Sequence, residues 1–180
     1  MTPELSALQD LCARLDGANI EYMLTGSLAA SYYARPRMTR DIDIVVALQT
    51  AAAPRLAGIL GEGYHADAGL IADGFRLGRP SNVVHMPTLV KIDLIPRKGG
   101  DYRLLEFQRR RKVDFAGIPL WIVCPEDLVL SKLEWARESR SELQMKDVRA
   151  LLGTSLDQAY LNEWADRLGL AALLREAIGE

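Results

Sequence analysis

Asp41 and Asp43 belong to the run Asp41-Ile42-Asp43-Ile44, which thirteen residues separate from the pair Gly26-Ser27. In a strand, alternate side chains share a face, so these acids point the same way with their Cα atoms roughly 6–7 Å apart. Ile42 and Ile44 then point into the core. Carboxylates this close repel unless a cation sits between them. Mg²⁺, or Mn²⁺ in its place, suits that gap, because a hard cation is held by one or two carboxylates plus substrate phosphates. Asp93, in Val90-Lys91-Ile92-Asp93-Leu94-Ile95, has the same apolar setting and can join the first two across a sheet as a third metal ligand. Gly26 permits a tight turn and a close backbone approach to a ligand. Ser27 is placed to cap a following helix, whose first amides favour a phosphate. The chemistry implied is transfer of a nucleoside monophosphate from a triphosphate to a hydroxyl acceptor, with pyrophosphate leaving.

Several cations are candidates for offsetting triphosphate charge. Lys91 shares the face of Asp93 and can pair with a carboxylate or a phosphate, and Lys132 approaches from the C-terminal helices. Arg37 and Arg40 precede the acidic strand and either contact phosphate or pair with acids. The run Arg109-Arg110-Arg111-Lys112 reads as a solvated helix end or a polyanion contact. His65 and His85 fit no triad or zinc site and read as structural. Trp121, Trp135 and Trp164 read as packing residues, whereas Tyr32 or Tyr33 is placed to border a nucleotide pocket.

A formal net charge of −2 gives no global attraction to nucleic acid. Cys12 and Cys124 are isolated and read as reduced, partly buried thiols. No signal peptide or membrane-spanning run is evident, so the expectation is a cytoplasmic protein without a membrane partner.

The elements that must position these residues follow from periodicity and punctuation. Helices are expected over 3–16, 28–33, 51–60 and 104–110, and strands over 20–24, 41–46, 82–86 and 89–95. A hairpin is expected from 113–115 and 118–123 around Ala116-Gly117. Residues 65–79 carry many glycines and read as short strands or a mobile loop. After Pro125 four helical periods follow, over 125–138, 142–152, 156–168 and 170–178. The chain therefore divides into a mixed α/β body over 1–123 and a helical region over 124–180 packed on it.

Leu24-Thr25-Gly26-Ser27 followed by Asp41-Ile42-Asp43-Ile44 resembles the motif of the polymerase-β nucleotidyltransferase superfamily, and Asp93 matches its third acid. Closer in look are the bacterial AbiEii-like abortive-infection and toxin–antitoxin nucleotidyltransferases. They are similar in the lead-in Arg37-Met38-Thr39-Arg40-Asp41, in the helical Lys132-Leu133 and in Lys146-Asp147 before an apolar run. The resemblance implies an α+β fold, a mixed and mostly antiparallel sheet flanked by helices, with a C-terminal helical bundle. It implies that Asp41 and Asp43 bind metal and triphosphate, that Asp93 helps activate the attacking hydroxyl, and that Gly26 and Ser27 hold the β- and γ-phosphates, with Arg37, Thr39, Lys91 and Lys132 nearby. The acceptors implied are tRNA or a protein, with a cognate antitoxin as partner. The alternatives are an antibiotic-modifying enzyme and a catalytically silent nucleotide-binding module.

Overall fold

The computed structural model describes residues 1–34, 39 and 41–179. Helix α1 (Pro3–Gly17) is capped by Thr2, whose hydroxyl accepts the Leu5 N–H at 3.3 Å, and Pro3 sits where a helix tolerates a missing donor. Its Leu8, Leu11 and Leu15 form one buried stripe. Then follow β1 (Glu21–Thr25), α2 (Gly26–Tyr33), β2 (Asp41–Ala47), α3 (Pro54–Leu60), β3 (Tyr64–His65), α4 (Ala68–Leu77), β4 (Ser81–His85) and β5 (Val90–Pro96). Next come α5 (Asp101–Gln108), β6 (Arg111–Phe115) and β7 (Ile118–Ile122), and four helices close the chain: α6 (Pro125–Ser139), α7 (Glu142–Leu152), α8 (Gln158–Arg167) and α9 (Ala171–Ile178).

The strands form one sheet in the order β3-β4-β5-β2-β1-β7-β6. Strand β2 lies at its centre, antiparallel to β1 and parallel to β5, and most of the remaining pairings are antiparallel. This is the expected α+β architecture. Ile42, Ile44, Ile92 and Leu94 are fully buried on the face that α1 and α4 cover. Burying each such side chain stabilises the fold by about 1.5–3 kcal/mol. That apolar face fixes the register, because a slip of one residue would drive the acids inward.

Three local expectations are corrected. The stretch 65–79, read as short strands or a mobile loop, begins on the last residue of the two-residue strand β3 and is otherwise dominated by a ten-residue helix, α4. Asp67 caps it by accepting the Leu70 N–H at 2.9 Å, Gly74 packs against β4, and Gly78 ends it in a left-handed conformation. The helix expected over 51–60 is divided into a short 3-10 turn, Thr50–Ala52, and α3, because Pro54 begins a helix afresh. In the basic run, Arg111 and Lys112 belong to β6 and not to a helix end.

The C-terminal helices meet the sheet-bearing part through polar groups as well as apolar ones. Asp127, fully buried, accepts from Tyr160 Oη at 2.7 Å, Arg109 Nε at 3.0 Å and Tyr102 Oη at 3.3 Å. Arg109 also pairs with Glu126, and Arg110 pairs with Glu21 and lies over the Phe107 ring. Both arginines are thus engaged within the molecule. Cys12 and Cys124 are free and buried, and no helix among the described residues is long and apolar enough to cross a membrane.

Gly74 faces β4 so closely that an added Cβ would overlap Ser81 Oγ and lie 3.0 Å from the Arg79 carbonyl. Gly74→Ala should therefore cost about 1–3 kcal/mol in urea unfolding. Adding Ser81→Ala should recover only part of that cost, because the carbonyl remains. Full additivity of the two changes would contradict the contact.

Candidate active site

The register of the central strands builds the site. Asp43 on β2 lies opposite Thr25 on β1 and opposite Asp93 on β5, and Asp93 in turn lies opposite Asn82 on β4. One row across four strands therefore reads Thr25, Asp43, Asp93, Asn82, with neighbours about 4.8 Å apart at the backbone. Asp41 lies one pair further along the same face, opposite Lys91. The three acids do share a face, as the alternation requires. Among the described residues no three acids or imidazoles form a preassembled metal cage. Asp93 is instead held by Lys91, whose Nζ lies 3.1 Å from Oδ1 and 3.2 Å from Oδ2, and by the Asn82 amide.

The turn before α2 closes directly onto Asp43. Gly26 adopts φ +67°, a conformation that disfavours side chains, and an added Cβ would stand 2.6 Å from Asp43 Cγ. The Ser27 backbone amide hydrogen-bonds the Asp43 carboxylate. Helix α2 starts at Gly26, so Thr25 takes the cap position and makes no side-chain cap bond. Ser27 is the second residue of the helix and not its cap, because the turn is one step tighter than the sequence suggested.

Burial is the largest influence on Asp43, pushing its carboxyl up to about 6, and the charges of Asp93 and Asp41 act in the same direction. The Lys132 charge and the Ser27 amide oppose them. Lys132 has a side chain only 4% exposed, and donates to Asp147 at 2.8 Å and Gln144 at 3.0 Å. Two buried opposite charges need such geometry to offset their lost hydration. Lys91 differs: its side chain is 43% exposed. Burial works against its charge, but the Asp93 bond and the charges of Asp41 and Asp43 outweigh this and hold the ammonium above its usual range. Thr39 Oγ1 reaches the Asp41 carbonyl at 3.4 Å, whereas Arg37 and Arg40 lie outside the described residues.

These groups form the floor of a cleft of about 330 Å³, lined there by Thr25, Gly26, Asp43, Asp93 and Lys132. Its walls come from α5 and α6. Arg103 bridges Glu106 at 2.7 Å, Ser131 Oγ at 2.8 Å and Glu134. Burial raises the Glu106 carboxyl, against the lowering effect of Arg103. Trp135, expected to pack, is 52% exposed and lines the cleft one helical turn beyond Lys132, because it falls on the solvent side of the stripe that buries α6. Trp164 is buried beside Tyr102, as a packing residue should be.

Asn82, Arg103, Glu134 and Asp147 were not singled out as site residues from the sequence. Asn82 and Arg103 are placed by tertiary pairing alone. Lys132 was a candidate cation from the sequence, whereas its partner Asp147, fifteen positions on, carried a signal only within the Lys146-Asp147 motif.

No protein-family model matches the chain, and no curated protein matches it in sequence. Solved structures do. The antibiotic-resistance factor ANT(2″)-Ia, in complex with adenylyl-2″-tobramycin, superposes with a TM-score of 0.58 at 15% identity over 97% of this chain and 98% of its own. A candidate nucleotidyltransferase from Thermotoga maritima gives 0.57 at 17% over 81% and 94%. An antigenic nucleotidyltransferase-like protein from Paracoccidioides brasiliensis gives 0.53 at 18% over 98% and 92%. The chain has a nucleotidyltransferase fold. Within that fold the acidic row, the Gly26 turn and the cleft occupy one place on the sheet.

The raised Asp43 carboxyl makes a signed prediction. Its value in the fold, about 6, exceeds the ordinary 3.8, so it contributes stability below about pH 4 that is lost as pH rises through 6. Asp43→Asn should therefore stabilise the metal-free protein at pH 8 by about 1–3 kcal/mol, and make little difference at pH 4. Thermal melts in chelator at both pH values measure this. A lower melting temperature for the variant at pH 8 would contradict the repulsion.

Proposed function

We propose that this chain transfers a nucleoside monophosphate from a nucleoside triphosphate to a hydroxyl acceptor, with release of pyrophosphate. The observation that carries this reading is the contact of the Gly26 turn with Asp43, directly opposite Asp93, on the floor of a cleft. A turn so close to a carboxylate leaves a phosphate bound at the helix start with an acid beside it, a repulsive pairing unless a cation lies between.

The residues fit a divalent cation, Mg²⁺ or Mn²⁺. Asp41, Asp43 and Asp93 share a face, Asp43 already feels the charge of the other two, and a lysine ammonium leans on Asp93. Asp41, Asp43 and Asp93 would hold the metal, which when bound neutralises phosphate charge and polarises the α-phosphate. The start of α2, with Gly26 and Ser27, orients the β- and γ-phosphates through its amides and dipole. Lys132, fixed by Asp147, offers a rigid positive charge to the same region. Asp93 takes the proton of the acceptor hydroxyl as its oxygen bonds to the α-phosphorus and the bond to the pyrophosphate oxygen breaks. Arg37 and Thr39, on the segment leading into β2, are assigned to the triphosphate by motif position.

A cleft of about 330 Å³ favours a small acceptor over tRNA. Glu138 and exposed Trp135 on one wall suit an amine-bearing sugar, while Glu134 is tied to Arg103, Arg97 and Lys98 line the same cleft, and Arg109 and Arg110 are held in internal ion pairs. A tRNA or protein acceptor and an antitoxin partner remain the toxin form of the same chemistry, and salt dependence distinguishes it. ANT(2″)-Ia bound to an adenylylated tobramycin shows that the fold accommodates such an acceptor in that protein.

The test incubates the protein with each α-labelled triphosphate, Mg²⁺ and either aminoglycosides or total RNA. Labelled product should form with an amine-bearing sugar, and Asp43→Asn or Asp93→Asn should lower its rate by about 10²–10³-fold or more. Undiminished transfer by either folded variant would refute the assignment.

A further inference from the structure

Lys91 and Lys132 are two different kinds of cation beside the same acids. Lys132 is sealed in the protein and anchored by Asp147 and Gln144. Lys91 stands on a flexible stem, nearly half exposed, with its ammonium spanning both oxygens of Asp93 at 3.1 and 3.2 Å. The register sets it opposite Asp41, and the charges of Asp41 and Asp43 act on its ammonium as well as that of Asp93. Asn82 donates to Asp93 Oδ1 from the other side, so both oxygens of that acid are engaged before any ligand arrives. A divalent ion that takes Asp93 meets the Lys91 ammonium across both oxygens, and the repulsion between the two cations opposes their sharing that carboxylate.

We propose that Lys91 is a built-in counter-cation that competes with the divalent metal for Asp93 and, once displaced, turns to the incoming triphosphate. This rests on the metal-dependent reading above and adds a regulation of that site. A lysine that occupies the acids when the nucleotide is absent weakens binding of metal alone. The nucleotide brings phosphate oxygens to receive the displaced ammonium, so metal and nucleotide bind cooperatively. Free enzyme then stays unloaded at metal concentrations that load the nucleotide complex. Lys132, lacking freedom to move, cannot serve this way.

The experiment titrates Mn²⁺ into the wild-type chain, Lys91→Met and Lys91→Gln by calorimetry, with and without a non-hydrolysable triphosphate. Circular dichroism and melting temperature verify each fold. Metal alone should bind either variant about two- to fivefold more tightly than wild type, the size an exposed ion pair allows. The tightening that nucleotide confers on metal should shrink correspondingly. Equal or weaker Mn²⁺ binding by both folded variants overturns the inference. Repeating the titration with Asp43→Asn separates two failures. Binding that needs Asp43 but ignores Lys91 sinks this inference alone, whereas binding that survives Asp43→Asn sinks the metal site together with it.

Discussion

Like charges forced together on a central strand pair set the terms for this molecule. Asp43 and Asp93 face one another in register, Asp41 stands one step away, and the Gly26 turn presses on Asp43 from above. Left alone, such an arrangement opposes folding. It persists because the opposite face of the same strands is sealed by Ile42, Ile44, Ile92 and Leu94. The alternation that buries four aliphatic side chains leaves the acids no other face to occupy. The apolar side of the sheet thus holds the polar side in its unfavourable geometry, and that geometry is the feature most suited to binding.

The protein answers the repulsion with fixed and movable charges. Lys132, the Ser27 amide and Asn82 are set in place by helix and sheet packing, and Lys91 is tethered only by its stem. Arg103 performs a comparable task on the wall, tying Glu106 on α5 to Ser131 and Glu134 on α6. Charge therefore alternates along the cleft, from the acidic row beneath the Gly26 turn past Arg97, Lys98 and Arg103 to a rim where Trp135 and Glu138 meet solvent.

Much of this was legible beforehand, for identifiable reasons. Asp41-Ile42-Asp43-Ile44 and Ile92-Asp93-Leu94 announce strands with one acidic face because β alternation is local. The C-terminal helices were legible from Pro125, Gly153 and Gly169 as punctuation. Helix α4 was hidden because Gly69 and Gly74 lower helical propensity, and only the approach of Ser81 explains Gly74. Arg109 and Arg110 looked like a free basic patch because their partners, Asp127 and Glu21, are distant in sequence. Asn82 and Arg103 were invisible for the same reason: a register and a helix contact place them, not a spacing. Arg37, assigned by its lead-in motif, lies outside the described residues.

The most direct measurement is a crystal structure with Mn²⁺ and a non-hydrolysable nucleoside triphosphate, using anomalous scattering to locate the metal. The account predicts a peak within coordination distance of Asp43 and Asp93, at about 2–2.3 Å. It also predicts terminal phosphates seated on the amides at Gly26 and Ser27. Metal and nucleotide ordered elsewhere, with the Asp43 carboxylate untouched, would contradict it.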